Sequence, residues 1–266
     1  MREPLQREPL HEALVTPGSP WRGIDVHPEL GSTNAEAARI GEPWHVVTTD
    51  HQVTGRGRLG RTWETPARTS VALSALVPAP SAPNAAGWMP LVTALAVRDA
   101  IAETTGLAAN LKWPNDVQLP ADDDRKVCGI LCELHPAGIV VGIGLNVDQD
   151  RDELPVPTAT SLHLAGATDV SRHDLVVALL RSLVRWHAAL SGGAGERSAA
   201  HAAYRSACTT IGREVDLHEA GGAVRRVRAT GLDEQGRLVV AGPTGEYAVA
   251  AGDVVHVRPG GREAQR

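Results

Sequence analysis

The chain has 266 residues, 42% of them hydrophobic, and a formal net charge of −5. That length can bury a sizeable core as one large domain or a large domain with a small one, and the excess of acid argues against a basic face for nucleic acid. No stretch approaches the ~18 unbroken apolar residues of a membrane-spanning helix, and the opening residues MREPLQREPLHEALV lack the apolar run of a signal peptide.

Residues 1–20 read as a disordered or loosely packed tail. A short strand is predicted at 24–27, after which Ser32 or Thr33 caps a helix beginning near Asn34. HVVTT (45–49) reads as a buried strand and is followed by a Gly/Arg-rich loop over 55–61. SVALSALV (70–77) is a second strand, ended by a proline-rich turn. Residues 89–105 are predicted helical, with Leu91, Leu95, Val97 and Ile101 roughly on one face. Strand-like runs follow at 111–113 leading into 117–119, at 127–134 and at 139–147, with the acidic segment 121–125 as a solvated hairpin turn. The clearest helix covers 171–190: Ser171 caps it, Asp174 lies in the first turn, and Leu175, Leu179, Leu183 and Trp186 recur at helical spacing before Gly192 and Gly193. Another helix is expected at 196–207. From Ile211 the pattern becomes short β runs split by turns, a small antiparallel barrel of about 50 residues. The expected organisation is a tail over 1–20, a large domain over 21–208 and a β-rich domain over 209–260.

Cys128, Cys132 and Cys208 make an odd count without an export signal, which suits reduced thiols in the cytoplasm. Cys128 and Cys132 read as small buried hydrophobes, since no further metal ligands cluster near them. Of 26 basic residues only Lys112 and Lys126 are lysines. In a composition that favours arginine this strongly, a retained lysine marks a place where a compact ammonium is needed and a planar guanidinium will not serve. That reading is stronger for Lys126.

Gly55-Arg56-Gly57-Arg58-Leu59-Gly60 matches G-x-G-x-x-G after a strand, but a dinucleotide site would need a helix opening at the third glycine. Here Arg61-Thr62-Trp63-Glu64-Thr65-Pro66 follows, and the proline opposes one. Such a loop suits an anion in another way. Its glycines let peptide N–H groups come close, and Arg56, Arg58 and Arg61 add fork-shaped positive charge for carboxylate or phosphate.

Further polar groups lie at strand and helix ends in Gly31-Ser32-Thr33-Asn34, Asp50-His51-Gln52, Lys112-Trp113-Pro114-Asn115-Asp116 and Lys126-Val127-Cys128-Gly129. The run Val141-Gly142-Ile143-Gly144-Leu145-Asn146 is a strand with two glycines, which usually mark a close approach. Taken in order, GSTN, HQVTGRGRLGRTW, LKWPNDV, KVCGIL and GIGLNV resemble the biotin protein ligase family, tightly over about residues 24–150. The β-rich tail resembles that family's small SH3-like C-terminal domain. The resemblance implies an α+β fold, a mixed sheet with helices on one side, related to class II synthetases.

It also implies roles. Ser32, Thr33, Asn34 and Gln52 would meet biotin's neutral ureido ring with matched polar groups, and such a site rejects analogues that leave those groups unpaired. Gly55, Arg56, Gly57 and Arg58 would hold biotin and then the adenylate phosphate. Gly129, Gly142 and Gly144 would let backbone approach the ligand. Arg61, Trp63, Lys112, Asn115, Asp116 and Asn146 would face ATP, with Lys112 able to pair with Asp116. Lys126 would bridge carboxylate and phosphate, and Lys126, Arg58 and Asp116 would be the catalytic set. Mg2+ would be carried mainly by the ATP phosphates, with Asp116 a candidate ligand. Biotin and MgATP would give biotinyl-5′-AMP, from which a lysine of the biotin carboxyl carrier domain of an acyl-CoA or pyruvate carboxylase takes biotin. Some members of that family carry an N-terminal helix-turn-helix domain, but the roughly 30 residues before GSTN are too few for one, so no DNA partner is expected; no membrane is expected either, and a monomer or weak homodimer is. A lipoate ligase, a biotin-responsive repressor and a non-catalytic biotin-binding module are the alternatives.

Overall fold

A computed structural model describes residues 2–218, 223–242, 245–249 and 253–256. In chain order it begins with α1 (Arg7–Leu14), β1 (Gly23–His27), α2 (Thr33–Ile40) and β2 (His45–Thr49). The ribbon strands β3 (Gly55–Arg56) and β4 (Thr62–Trp63) come next, then β5 (Ser70–Val77) and α3 (Met89–Thr105). The strands β6 (Asn110–Lys112), β7 (Asp116–Leu119), β8 (Arg125–His135) and β9 (Gly138–Asn146) follow, then α4 (Arg172–Ser191) and α5 (Ala194–Ala207). Seven strands form one mixed sheet in the order β1-β2-β5-β9-β8-β7-β6. The β1–β2 pair is parallel and the other neighbours are antiparallel.

The central strands β5 and β9 are buried on both faces. Side chains alternate across a strand, so each strand divides into two sets. Val71, Leu73, Ala75 and Val77 join Ile139, Val141, Ile143 and Leu145 in the main core under α3 and α4. On the opposite face Leu76 and Val140 meet Val47 and Ala37, so the short α2 covers one end of that face. The long helices thus share one side of the sheet, as expected. α3 is buried around its whole circumference from Leu91 to Val97 rather than on one stripe. With the preceding turn, Ala85–Thr105 is long and apolar enough to cross a membrane by length and composition, but it is mostly buried as the core helix of the fold.

The N-terminal segment departs from the expected loose tail. Leu10 and Leu14 of α1 are buried, as are Leu5 and Trp21, and α1 packs on β1 and α4. Arg2 bonds Asp148 and Glu153 at 2.8 and 2.7 Å. An eight-residue helix has little stability of its own. Its apolar positions are too few to register as a pattern, and the order comes from the surfaces they meet. The acidic turn also differs from a solvated hairpin. Asp122 accepts from Arg125, Arg151 and Thr160 at 2.6, 2.8 and 2.5 Å.

The C-terminal strands β10 (Glu214–His218), β11 (Val224–Leu232), β12 (Leu238–Gly242), β13 (Gly245–Val249) and β14 (Asp253–His256) form an antiparallel sheet in the order β13-β12-β11-β10-β14. Val215, Leu217, Val227, Ala229, Leu238 and Val240 belong to the same apolar cluster as the first domain. The turn between β11 and β12 docks on two indoles: Trp88 Nε1 donates to Glu234 O at 2.9 Å and Trp113 Nε1 to Gly236 O at 3.0 Å.

Candidate active site

On the sheet face not covered by α3 and α4, small residues stand side by side. One cross-strand row runs Ala72–Gly144–Gly129–Asp116 and the next runs Ser74–Gly142–Leu131. Rows on one face are two residues apart, about 6.8 Å. The result is a shallow groove floored by β5, β9 and β8, with a different polar cluster over each row.

Over the Ser74–Gly142 row, the start of α2 brings in Thr33 and Asn34, and Gln52 follows β2. Ser32 is the N-cap of α2, accepting from Ala35 N at 3.4 Å. Thr33 donates to Gln52 Oε1 twice, from its backbone N–H at 2.9 Å and its hydroxyl at 3.1 Å. The Asn34 amide donates to Leu131 O at 3.3 Å and to Glu133 Oε2 at 2.6 Å. All four side chains of Thr33, Asn34, Gln52 and Ser74 are buried. Asn34 reaches Ser74 because Gly142 has no side chain there; a Cβ on Gly142 would overlap the Asn34 amide oxygen. A Cβ on Gly55 would likewise overlap the Gln52 amide nitrogen and the Trp63 carbonyl.

Over the Gly144–Gly129 row lie Lys126 and Trp63. Lys126 Nζ is 2.5 Å from Asp116 Oδ1 and 5.6 Å from the Trp63 ring centroid. A Cβ on Gly129 would come 3.1 Å from that ammonium, and one on Gly144 would strike the Trp63 indole. The Gly/Arg loop is a β-ribbon: β3 pairs with β4, and a 3-10 turn over Arg58–Gly60 joins them. No helix opens at Gly60, which removes the dinucleotide-fingerprint reading. Arg58 Nη1 donates to Asn115 Oδ1 at 3.3 Å, while Asn115 Nδ2 is tied to Ile130 O at 2.9 Å. Arg58 therefore reaches from the ribbon to the Trp113–Pro114 segment, where the peptide bond is cis. Arg58, Asn115, Leu131 and the turn residues Gln235–Arg237 also line a cavity of about 240 Å³. Arg56 and Arg61 stay exposed on the ribbon.

Most of the expected site residues therefore converge on one face, with three differences. Gly129, Gly142 and Gly144 make room for Lys126, Asn34 and Trp63 side chains in this structure. Asp116 is opposite Lys112 in the β6–β7 ladder, but its ion pair is with Lys126. The same pair engages the carboxylate expected beside Mg2+, and among the described residues no three His, Cys, Asp or Glu side chains group as a metal site. Asn146 is buried with its amide used at both ends, donating to Thr160 O at 2.9 Å and accepting from Gln149 at 3.1 Å. Cys128 lies in the core, where burial pushes its thiol well up, and burial pushes Cys132 up to about 12.

Two groups were not anticipated. Ser74 hides in an apolar run, although the alternation of small Ser70, Ala72 and Ser74 with larger neighbours could have marked a ligand face. Arg172 is buried against Asp50 at 2.8 Å and donates to Ser70 O at 3.1 Å, bracing the segment that carries Gln52. Its partners lie far away in sequence and leave no local signal.

The profile of the Biotin/lipoate A/B protein ligase family matches residues 34–150, and that of the Biotin protein ligase C terminal domain matches 210–257. A biotin–[acetyl-CoA-carboxylase] ligase from Mycobacterium tuberculosis is 36% identical, covering 97% of this chain and 98% of that protein. One from Paracoccus denitrificans is 34% identical over 84% of this chain and 96% of its own length. The structure of the Aquifex aeolicus biotin protein ligase in complex with biotin and ATP superposes with a TM-score of 0.74 at 27% identity, covering 90% of this chain and all of that one. With this agreement in sequence across nearly its full length, in both domains and in fold, the chain belongs to the biotin protein ligase family.

Proposed function

We propose that the groove holds biotin and ATP together, and that its cations, rather than a covalent nucleophile, carry the reaction. The activity is that of an ATP-dependent biotin protein ligase. Biotin and ATP give biotinyl-5′-AMP and pyrophosphate; an acceptor lysine amine then attacks the mixed anhydride, forms the amide and releases AMP. The acceptor is acetyl-CoA carboxylase, and we assign the attacked lysine to its biotin carboxyl carrier domain.

The observation that carries the site assignment is the pairing of two unlike clusters on adjacent rows of one sheet face. The Thr33–Asn34–Gln52 cluster is neutral and rich in donors and acceptors, which suits a ureido ring. The Lys126 cluster offers a half-buried ammonium steadied by Asp116, to which Arg58 adds a guanidinium from the ribbon, and these suit a carboxylate meeting a phosphate. Two such anions repel each other, and fixed positive charge where negative charge develops lowers that barrier. Lys126 takes this role, with Asp116 holding its ammonium in place. Arg58 closes the ribbon over the reacting atoms and Trp63 covers the nucleotide. Asn115 positions Arg58 through its bond to that guanidinium. Mg2+ enters with the ATP phosphates as part of the substrate and needs no protein cage. Ribbon closure keeps water from the anhydride.

We further place the enzyme in the cytoplasm, acting without DNA as a monomer or weak dimer; its three free cysteines suit a reducing compartment. The decisive assay incubates the protein with biotin, ATP, magnesium and a carrier domain and follows the mass of the acceptor. A biotin-sized increment on one lysine is expected, and its absence with a competent carrier refutes the reading. Lys126→Ala should slow pyrophosphate release by ~10²–10³-fold while leaving biotin bound. An unchanged rate would remove Lys126 from the chemistry.

A further inference from the structure

We propose that Ser74 is a positioning and specificity residue for the biotin ring, because its single hydroxyl proton sets which oxygens of the pocket are free to accept from the ureido N–H groups. The inference rests on the assignment of the groove to biotin.

The hydrogen-bond inventory is tight. Gln52 Oε1 accepts both Thr33 bonds, which uses its two lone pairs. The amide is thereby turned so that Nε2 faces Gly55, and Gln52 has only N–H donors left for a ligand. Thr33 has given its hydroxyl proton to Gln52, so Thr33 Oγ1 is an acceptor. Ser74 Oγ lies 2.7 Å from that oxygen and 2.6 Å from Asn34 Oδ1. The Asn34 amide is fixed in this orientation because its nitrogen is bonded to Leu131 O and Glu133.

One proton cannot serve both oxygens. When Ser74 donates to Asn34, Thr33 Oγ1 and Ser74 Oγ keep lone pairs for incoming donors. Ser74 is fully buried, so water does not make up a lost bond cheaply. A ureido ring has two N–H donors and one carbonyl acceptor. The Gln52 N–H groups match the carbonyl, and the oxygens that Ser74 arranges match the two donors. A dithiolane has no N–H to offer and would leave those oxygens unpaired, which is how a polar pocket rejects an apolar analogue.

The test uses Ser74→Ala and Ser74→Cys; the thiol nearly keeps the volume but hydrogen-bonds weakly. Binding of biotin and of desthiobiotin, which retains the ureido ring, is measured by calorimetry without ATP, beside the melting temperature. Both variants should bind both ligands roughly 10–100-fold more weakly, with kcat for pyrophosphate release at saturating biotin within about twofold of wild type. Ser74→Thr, which restores the hydroxyl, should recover most of the affinity. Wild-type affinity in either the alanine or the cysteine variant overturns the proposal, the cysteine result assigning the site to packing alone. If Ser74→Ala fails to fold, the cysteine and threonine variants decide. Failure of the wild type itself to bind biotin would instead refute the assignment of the groove.

Discussion

Gly142 shows how a single missing side chain can build a pocket. Its notional Cβ overlaps Asn34 Oδ1, so any larger residue must push the amide away from Ser74. Overpacking of this kind typically costs ~1–3 kcal/mol. Gly142→Ala is expected to weaken biotin binding about tenfold, since ~1.4 kcal/mol is a factor of ten, with a small drop in melting temperature. Calorimetric titration checks this, and unchanged affinity would mean that the Asn34 amide plays no part in the pocket. Lys126 illustrates the complementary case of a residue that must keep its chemistry. It approaches Gly129 closely while its ammonium bonds Asp116 and faces Trp63. A guanidinium is broader and would not occupy that space in the same way.

Among the elements, the β3–β4 ribbon is the one we propose to open and close during the cycle. It is short and glycine-rich, and its base is pinned by Trp63 on the sheet. Its turn is tethered to the sheet side by the Arg58–Asn115 bond at 3.3 Å. Hydrogen bonds from charged groups are worth ~1.5–3 kcal/mol when well formed. Arg58→Gly removes the tether and adds backbone freedom, so the closed ribbon should be less populated. Free biotinyl-5′-AMP in the filtrate of a reaction without carrier should rise about tenfold, and bystander proteins should become biotinylated. If the variant makes the adenylate yet releases no more of it than wild type, the ribbon is not the lid.

Across the whole molecule, a hydrogen-bonded relay joins the two domains, and its histidine is expected to make stability depend on pH. Trp113 N–H donates to Thr210 Oγ1 at 3.1 Å, and Thr210 Oγ1 is 3.0 Å from His256 Nε2 on β14. Either group can be the donor in that contact, since a hydroxyl carries one proton and can accept twice, and a neutral ring can take the Thr210 proton at Nε2 whereas a protonated ring can only donate. Burial first, then the charges of Lys112 and Arg213, hold the His256 imidazole down at about 4. The unfolded chain binds that proton near the ordinary value of about 6.5. Its contribution is thus intact above pH 6.5 and is lost as pH falls toward 4. Wild type should lose melting temperature between pH 7.5 and 5 more steeply than His256→Gln. Parallel slopes would remove His256 as the cause, since His187 and His201, also held low chiefly by burial, are common to both proteins. The N-terminal arm acts at the same scale: Leu5 N–H and Arg172 both reach Asp50, two residues from Gln52.

The sequence by itself determined the strong local elements and the chemistry-bearing segments. α3 and α4 were legible because apolar side chains recur at helical spacing between clear stop signals, and β2 and β5 because a short apolar run bounded by turns reads as a buried strand. The polar segments GSTN, GRGR, KWPND and the Lys126 region could be named because chemistry is a property of residue type. Tertiary structure decided what those residues touch. Asp116 was free on paper to pair with Lys112, yet Lys126 reaches it across the β7–β8 ladder. Asn146 was expected to face a nucleotide, yet its amide is committed to Thr160 and Gln149. Ser74 was marked only by the alternation of small residues along its strand, Arg172 gave no local signal, and the order of residues 2–20 came from surfaces far along the chain. The physical reason is the same in each case: hydrogen bonds and ion pairs depend on separations of a few ångströms, and strand register and packing set those separations between residues that the sequence keeps far apart.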